Sequence, residues 1–407
     1  MKLGVKTGLD VLVGASFSGI SGARVAVLAN SAAVDNLARP IVDLLLASGC
    51  VKVVKLLAPE HGFGSTAQDM QEVSHTTDQR TGLPVISLYG DSFESLKPRQ
   101  EYFRDIDILL VDLPDIGTRY YTFAQTMALC MEVAGQCGVK VVVLDRPNPI
   151  NGVDIEGAPL LKSCRSFCGM IPVANRHGMT LGELALAYQK GFGSGEDAWQ
   201  PISCELEIIE CQDWKRGLFF NKLRLPWALP SPNMPTPDTA LVYPGMCLFE
   251  TTNVSEGRGT TKPFEIIGAP YIDSARWIEA ALKEELPLEG ALLRPATFTP
   301  QFNKWAGKVC HGLQLHVIDR QTFQPFRWGL ALIAALKRTH PDSFDWREKA
   351  YEFVTDTPAI DLLYGNPLFR QVVDSGRSLT EVEAQMLKYE RLYRLERRGI
   401  RLYGESK

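Results

Sequence analysis

No CxxC pair occurs in this chain of 407 residues, and its six histidines include no HExxH. Those absences remove zinc knuckles, thioredoxin-like redox motifs and the zinc-protease helix. His311 and His316 stand five apart in "HGLQLHVID" and would face opposite sides of a strand, so no metal site is expected. Glycine is plentiful but not spaced for phosphate. "VAVLANSAAVDN" holds no GxGxxG, "GRGTTKPFE" is no GxxxxGK[ST] loop, and "GFGSTA" resembles either only in part. The GxSxG elbow of many serine hydrolases is missing too. With 43 Lys and Arg against 47 Asp and Glu, the net charge of -4 gives no footprint for nucleic acid. No stretch approaches the roughly 18 apolar residues of a membrane span. "MKLGVKTGLDVLVG" lacks a charged leader before a long apolar stretch, so the chain is expected to be cytoplasmic as written, or periplasmic or secreted if a signal has been removed. There is no internal repeat, and subunit contacts are not readable.

What is present begins with a series of short apolar runs. "ARVAVLAN" (23–30), "VKVVKLLAP" (51–59), "LPVISLYG" (83–90), "DIDILLVD" (105–112) and "VKVVVLD" (139–145) are bounded by turn residues. Helical patterns separate them, clearest in "PIVDLLLASG" and "TRYYTFAQTMALCMEVAGQCG". Strands apolar on both faces and joined by crossovers imply an α/β fold with a parallel sheet, which binds ligands at the carboxyl ends of its strands. Polar residues gather at those ends: Asn30 and Ser31; Glu60 and His61; Tyr89 and Asp91; Asp112 and Asp115; Asp145, Arg146 and Asn148. One such residue is ordinarily a cap or a turn former. Repetition after every strand argues for a binding edge.

Past residue 150 the pattern changes. "RHGMTLGELALAYQKG" reads as a loop and then a helix, with Thr180 and Glu183 in capping-box spacing. "LPWALPSPNMPTPDTALVYPG" (225–245) carries six prolines and no helical period, and is expected to run extended across a surface. "FETTNVSEGRGTTKPFEIIGAP" (249–270) is rich in Gly and Thr. Long irregular stretches in compact domains are functional or disordered, and the interleaved aromatics favour order. From about 271 the chain reads as α+β, ending in a charged helix whose mixed signs suit a solvated face. Nine cysteines, mostly in apolar contexts, fit reduced and buried thiols, with a Cys164–Cys168 disulfide left open.

The chemistry that remains is carboxylate chemistry. Glu60, Asp112, Asp115, Asp145 and Glu256 are candidate acids and bases, and Arg119, Arg146, Arg176 and Arg258 are candidate clamps. Glycoside hydrolysis needs a carboxylic acid to protonate the leaving oxygen and a second group to assist attack at the anomeric carbon. A carboxyl group emerging from an apolar strand is the kind that desolvation keeps protonated.

In this order, "PEHGFG", "DLPDIGTRYYTF", "DRPNPING", "NRHGMTLGELA", "LPSPNMPTPDTALVYPG", "ETTNVSEGRGTTKPFEIIGAP" and "AIDLLYG" resemble the blocks of the exo-β-N-acetylmuramidase (NamZ) family of peptidoglycan glycoside hydrolases. The resemblance spans nearly the whole chain. It implies a Rossmann-like α/β catalytic domain over 1–270, a smaller α+β domain over 271–407, and an active site in the cleft between them. It implies release of N-acetylmuramic acid (MurNAc) from non-reducing ends of peptidoglycan-derived saccharides such as MurNAc-GlcNAc, with no cofactor. One departure is Pro114, where the family pattern has Gln before the second Asp of its D-x-Q-D block.

The family's proposed catalytic glutamate falls in its EHG block and maps to Glu60. The 2-acetamido group of the sugar, or Asp115, Asp112 or Glu256, would assist on the other face, with retention or inversion left open. MurNAc carries a lactyl carboxylate, which an arginine fork can accept bidentately. Arg176 and Arg258 lead, then Arg119 and Arg146. His61 and His177 would support the carboxylates or the sugar hydroxyls, and Asn30, Asn148, Asn233 and Asn253 suit amide and hydroxyl recognition. The rival readings are a non-catalytic amino-sugar-binding protein and a nucleotide-dependent oxidoreductase.

Overall fold

The computed structural model describes residues 4–68, 71, 74–90 and 92–404, so Asp91 lies outside the described residues. The first half forms strands β1 (Arg24–Ala29), β2 (Lys52–Ala58), β3 (Thr76–Thr77), β4 (Pro84–Ser87), β5 (Ile108–Asp112), β6 (Lys140–Leu144) and β7 (Leu206–Ile209). They make one sheet in the order β3-β4-β2-β1-β5-β6-β7, in which β3 against β4 is the antiparallel pair. Helices α1 (Gly8–Gly14), α2 (Ile41–Ser48), α3 (Phe123–Gln136) and α4 (Leu181–Lys190) cover it.

The strand residues divide as a period of two requires. Val25, Val27, Leu56 and Leu110 pack with Leu9 and Leu12 of α1 and Ile41 and Leu45 of α2. Ala26, Leu28, Leu109 and Val111 pack with Met127 and Met131 of α3 and Leu184 of α4. Both faces are dry, which explains the nearly continuous apolar runs. α4 starts with the expected capping box, Thr180 accepting from the Glu183 amide and Glu183 from the Thr180 amide. Gly182 is obligatory there, because its amide donates to Asp145 at 2.8 Å and an added Cβ would stand 2.8 Å from the Asp145 carboxyl carbon.

The proline-rich stretch differs from its expectation. Residues 226–236 are irregular, but the next ten form helix α5 (Pro237–Met246), which is buried over most of its length. Pro237 sits in the first turn, where its missing N–H costs nothing, and Thr236 caps the end by accepting from the Thr239 amide. The C-terminal elements β8 (Ile266–Ala269), α6 (Ser274–Ala281), β9 (Ala291–Phe298), β10 (Cys310–Val317) and α7 (Pro325–Thr339) then gather around this buried helix. α5 crosses α7 at Gly245 and Gly329, where a Cβ on either would overlap the backbone of the other helix. β8, β10 and β9 form an antiparallel sheet in that order.

Helices α8 (Ala359–Tyr364), α9 (Leu368–Asp374) and α10 (Thr380–Arg397) close the chain. α10 is not solvated on all its charges. Glu390 and Arg397 are buried, Arg397 donating to the carbonyls of Gly152 and Gly178 and Glu390 pairing with Arg327 at 3.0 Å. One apolar cluster runs from the large sheet through α3 and α5 to β10 and α7. All nine cysteines are free thiols. No helix among the described residues is long and apolar enough to cross a membrane.

Candidate functional site

Glu60 stands two residues beyond β2, in a turn that holds unusual backbone. His61 has φ 71° and Ser65 φ 52°, both in the left-handed region that costs non-glycine residues about 1 kcal/mol each. The turn is fixed from inside: the His61 carbonyl accepts from the amides of Thr66 and Ala67, and His61 Nδ1 lies 2.9 Å from the Ala67 carbonyl. Strain of this kind persists where the surroundings over-determine it, often at functional sites. Glu60 is 6% exposed, and Thr122 Oγ1 donates to its Oε2 at 2.7 Å. Thr122 is the residue before α3, yet its hydroxyl makes no cap bond. It is given to Glu60 instead.

Glu60 lines a chamber of about 40 Å³ whose wall comes from segments far apart in sequence: His61, Tyr121, Asn233, Arg258, Tyr351 and Glu352 among them. Glu250 and Arg258 also line a cleft of about 970 Å³, bordered by Asn253, Glu256, Lys304, Trp305 and Trp346, so chamber and cleft adjoin. Asn233 donates to Gln68 across the same boundary at 2.8 Å. Arg258 Nη1 is 2.7 Å from Glu250 Oε1 and 3.0 Å from Glu256 Oε1, while Lys304 Nζ is 2.9 Å from Glu256 Oε2. Burial by itself would raise the Glu256 carboxyl, but Lys304 and Arg258 outweigh it and bring it down to about 2. Tyr351 donates to Glu250 at 2.6 Å, and Tyr89 to Glu352 at 2.9 Å.

A second group of candidates gathers where the strand order turns back, beyond β1 and β5. Arg146 grips Asp112 through Nε at 2.5 Å and Nη2 at 2.8 Å and adds a bond to the Val34 carbonyl. Asp115 accepts from the Gly117 amide at 2.6 Å, and His177 Nε2 is 3.3 Å from the same oxygen. Asp115 and Arg146 line a pocket there, with Pro114, Trp227 and Pro230. Asn30 donates to the Pro230 carbonyl, and Asn148 donates to Met179 and accepts from Ile150. Burial pushes the Asp145 carboxyl up to about 6, against hydrogen bonds from Tyr403 and the Gly182 amide.

The structure therefore brings Glu60, His61, Asn233 and Arg258 together, with Asn253 and Glu256 on the adjoining cleft. It puts Asp112, Asp115 and Arg146 around a second pocket, from which Asp115 acts together with Glu60 on Tyr121 of the chamber wall. Arg119 and Arg176 belong to neither. Arg119 donates to the carbonyls of Ala158, Val173, Leu363 and Tyr364, and Arg176 pairs with Glu156 and Asp154 beside a pocket that also holds Arg327. Sequence reasoning missed Thr122, Glu250, Tyr351 and Glu352. Thr122 and Glu250 lay inside the motifs "DLPDIGTRYYTF" and "ETTNVSEGRGTTKPFEIIGAP" or directly beside their marked residues. "AYEFV" had no periodicity or motif to mark it, and only its chain path brings Glu352 to the chamber.

Comparison with known proteins bears on the chain as a whole. The sequence model described as "Exo-beta-N-acetylmuramidase NamZ, N-terminal" matches residues 25–238, and its C-terminal counterpart matches 241–403. The chain is 41% identical over 378 residues to the peptidoglycan beta-N-acetylmuramidase NamZ of Bacillus subtilis (strain 168), covering 93% of this chain and 86% of that protein. Two DUF1343 family crystal structures from Bacteroides fragilis NCTC 9343 share the fold. One has a TM-score of 0.85 and the other 0.76, each at 28% identity over 99% of this chain, covering 100% and 99% of those chains.

Proposed function

Because the chain belongs to the exo-β-N-acetylmuramidase NamZ family, we infer that it is a glycoside hydrolase that removes terminal non-reducing MurNAc from peptidoglycan fragments such as MurNAc-GlcNAc. One observation supports this site assignment above the rest: a buried glutamate at a strand's carboxyl end, in a narrow chamber that adjoins a large polar and aromatic cleft. Saccharide sites are of the cleft's size rather than the chamber's. The terminal sugar would lodge at the junction, with Glu60 inside and the rest of the fragment along the cleft.

Glu60 is the general acid in this reading. It protonates the glycosidic oxygen as the bond to the anomeric carbon breaks. The turn fixes its backbone, and Thr122 fixes one carboxylate oxygen. Arg258 is the arginine of the four candidates that lines the chamber, and it reads the lactyl carboxylate. Asn233 serves hydroxyl or acetamido recognition. Incubation with MurNAc-GlcNAc and then mass analysis should show free MurNAc, and a GlcNAc-terminated disaccharide should remain whole. Ligand-induced thermal stabilisation without product would favour a binding protein instead.

A further inference from the structure

Glu60 is not the only glutamate in the chamber. Glu352 lies across the chain in sequence, 6% exposed, with φ 46° at its own backbone and φ 66° at Phe353. Two consecutive left-handed residues with side chains are costly, and here they fold one carboxylate into the space that Glu60 enters from β2. Tyr89, just beyond β4, donates its hydroxyl to Glu352 Oε2 at 2.9 Å. The phenol is pushed far above its ordinary range, chiefly by burial and then by the charges of Glu60 and Glu352, so it stays a donor at any working pH. The same two carboxylates raise the buried Cys168 thiol, after burial and with Glu352 ahead of Glu60, so both carboxylates act on one small volume.

We propose that Glu352 is the second catalytic carboxylate, the base that activates water for attack at the anomeric carbon while Glu60 acts as the acid. The inference rests on the muramidase reading above. In the step, the C1–O bond to the aglycone breaks with its electron pair on oxygen, and that oxygen takes the Glu60 proton. A water oxygen bonds to C1 and one of its protons passes to Glu352. Solvent exchange then restores both carboxyl groups, and nothing is oxidised or reduced. Tyr89 orients Glu352 and favours its ionised form by donating to it. The charged or titratable groups that line the chamber with Glu352 are Glu60 and His61 beyond β2, Tyr120 and Tyr121 before α3, Cys168, Tyr243 of α5, Glu250, Arg258 and the adjacent Tyr351, and Tyr89 beyond β4 donates to it.

Three comparisons on full-length protein test this, once the wild type releases MurNAc. If it releases none, the muramidase reading fails and the role of Glu352 falls with it. Glu352→Ala should lower kcat by about 10² to 10⁴ on both MurNAc-GlcNAc and an activated 2,4-dinitrophenyl MurNAc glycoside. Glu60→Ala should lose the disaccharide and keep most of the activated substrate, whose leaving group needs no proton. Azide, which attacks without a base, should restore turnover to Glu352→Ala and yield a glycosyl azide. Activity within tenfold of wild type, or a loss that azide leaves untouched, overturns the proposal. Tyr89→Phe guards against a folding failure in the alanine variant. It should move the acidic limb of kcat/KM upward by about one pH unit, the scale of a lost bond to a charged acceptor. An unmoved limb overturns the proposal.

Discussion

The carboxyl edge of the large sheet holds two clusters built from the same residue types, in which Asp112 and Glu60 have different bonding partners. Beyond β1 and β5, where strand order reverses, Asp112 is held by two nitrogens of Arg146. Beyond β2, Glu60 receives a hydroxyl from Thr122, and across the chamber Glu352 receives one from Tyr89. A buried carboxylate in a guanidinium fork must break that pair to change its protonation. A carboxylate served by a hydroxyl can change it while the hydroxyl turns from donor to acceptor. Fold topology points to the whole edge, and to the switch point first. In the reading proposed above, Glu60 and Glu352 react and Asp112 supports, and the hydroxyl and guanidinium bonds are what that reading rests on.

Substitution on each side should break this symmetry most visibly. Glu60→Gln should reduce kcat on MurNAc-GlcNAc by about 10³ while leaving urea unfolding close to wild type. Asp112→Asn should do the reverse. It leaves Arg146 buried without its anion and should cost about 3 kcal/mol of stability, read from urea unfolding, with the folded fraction still turning over. If folded Asp112→Asn is inactive, the switch-point cluster takes part in the chemistry and the contrast is wrong.

Much of this edge is legible in the sequence alone. Strand runs apolar on both faces imply the parallel sheet, and polar residues after each strand imply its active end, because both arise from the period of two and from burial. Glu60 is placed at that end in this way, as one carboxylate among several, and the resemblance of its EHG block is what singles it out. The roles of the arginines are not legible, since a guanidinium that ends on carbonyls looks the same in sequence as one that ends in a cavity. Arg119 is the clearest instance: its four carbonyl partners lie between 39 and 245 residues away. Residues 237–246 read as extended because prolines mask a helical period, although Pro237 lies where a helix accepts it and Pro244 lies near the helix end. Glu352 leaves no local signal, for its position depends on backbone turns that L-residues adopt only under tertiary constraint.

Acid and base titration should sharpen the role of partners at two further carboxylates, one raised by burial and one lowered by cations. Asp145, on the sheet-edge side, is raised by burial to about 6, above its ordinary value near 3.9. Its contribution to stability is therefore full below about pH 4 and lost as pH rises through about 6. Glu256, beside the chamber, is brought down to about 2 because Lys304 and Arg258 more than offset its burial. Its contribution is full above its ordinary value and lost as pH falls toward about 2. The stability difference between wild type and Asp145→Asn should shrink by about 2 kcal/mol from pH 4 to 7. The difference for Glu256→Gln should grow from pH 3 to 6. Parallel trends in the two series would mean that the cations beside Glu256 do not outweigh its burial.

Arg258 tests the comparison at its boundary, because it is ion-paired like Arg146 and yet lines the chamber like Glu60. Its Nη1 serves both Glu250 and Glu256, and its guanidinium carbon lies 4.9 Å from the centre of the Phe264 ring. Lysine at this position keeps the charge needed by the two glutamates but loses the planar fork and the stacking. If Arg258 only braces Glu250 and Glu256, Arg258→Lys should leave KM for MurNAc-GlcNAc unchanged. If it also accepts the lactyl carboxylate, KM should rise about tenfold, the scale of one lost charge-assisted bond, with kcat nearly kept because that carboxylate is remote from the breaking bond. A MurNAc glycoside whose lactyl carboxylate is reduced to an alcohol decides between these outcomes. It should bind wild type and Arg258→Lys about equally, since the group that the fork distinguishes is then gone from both complexes.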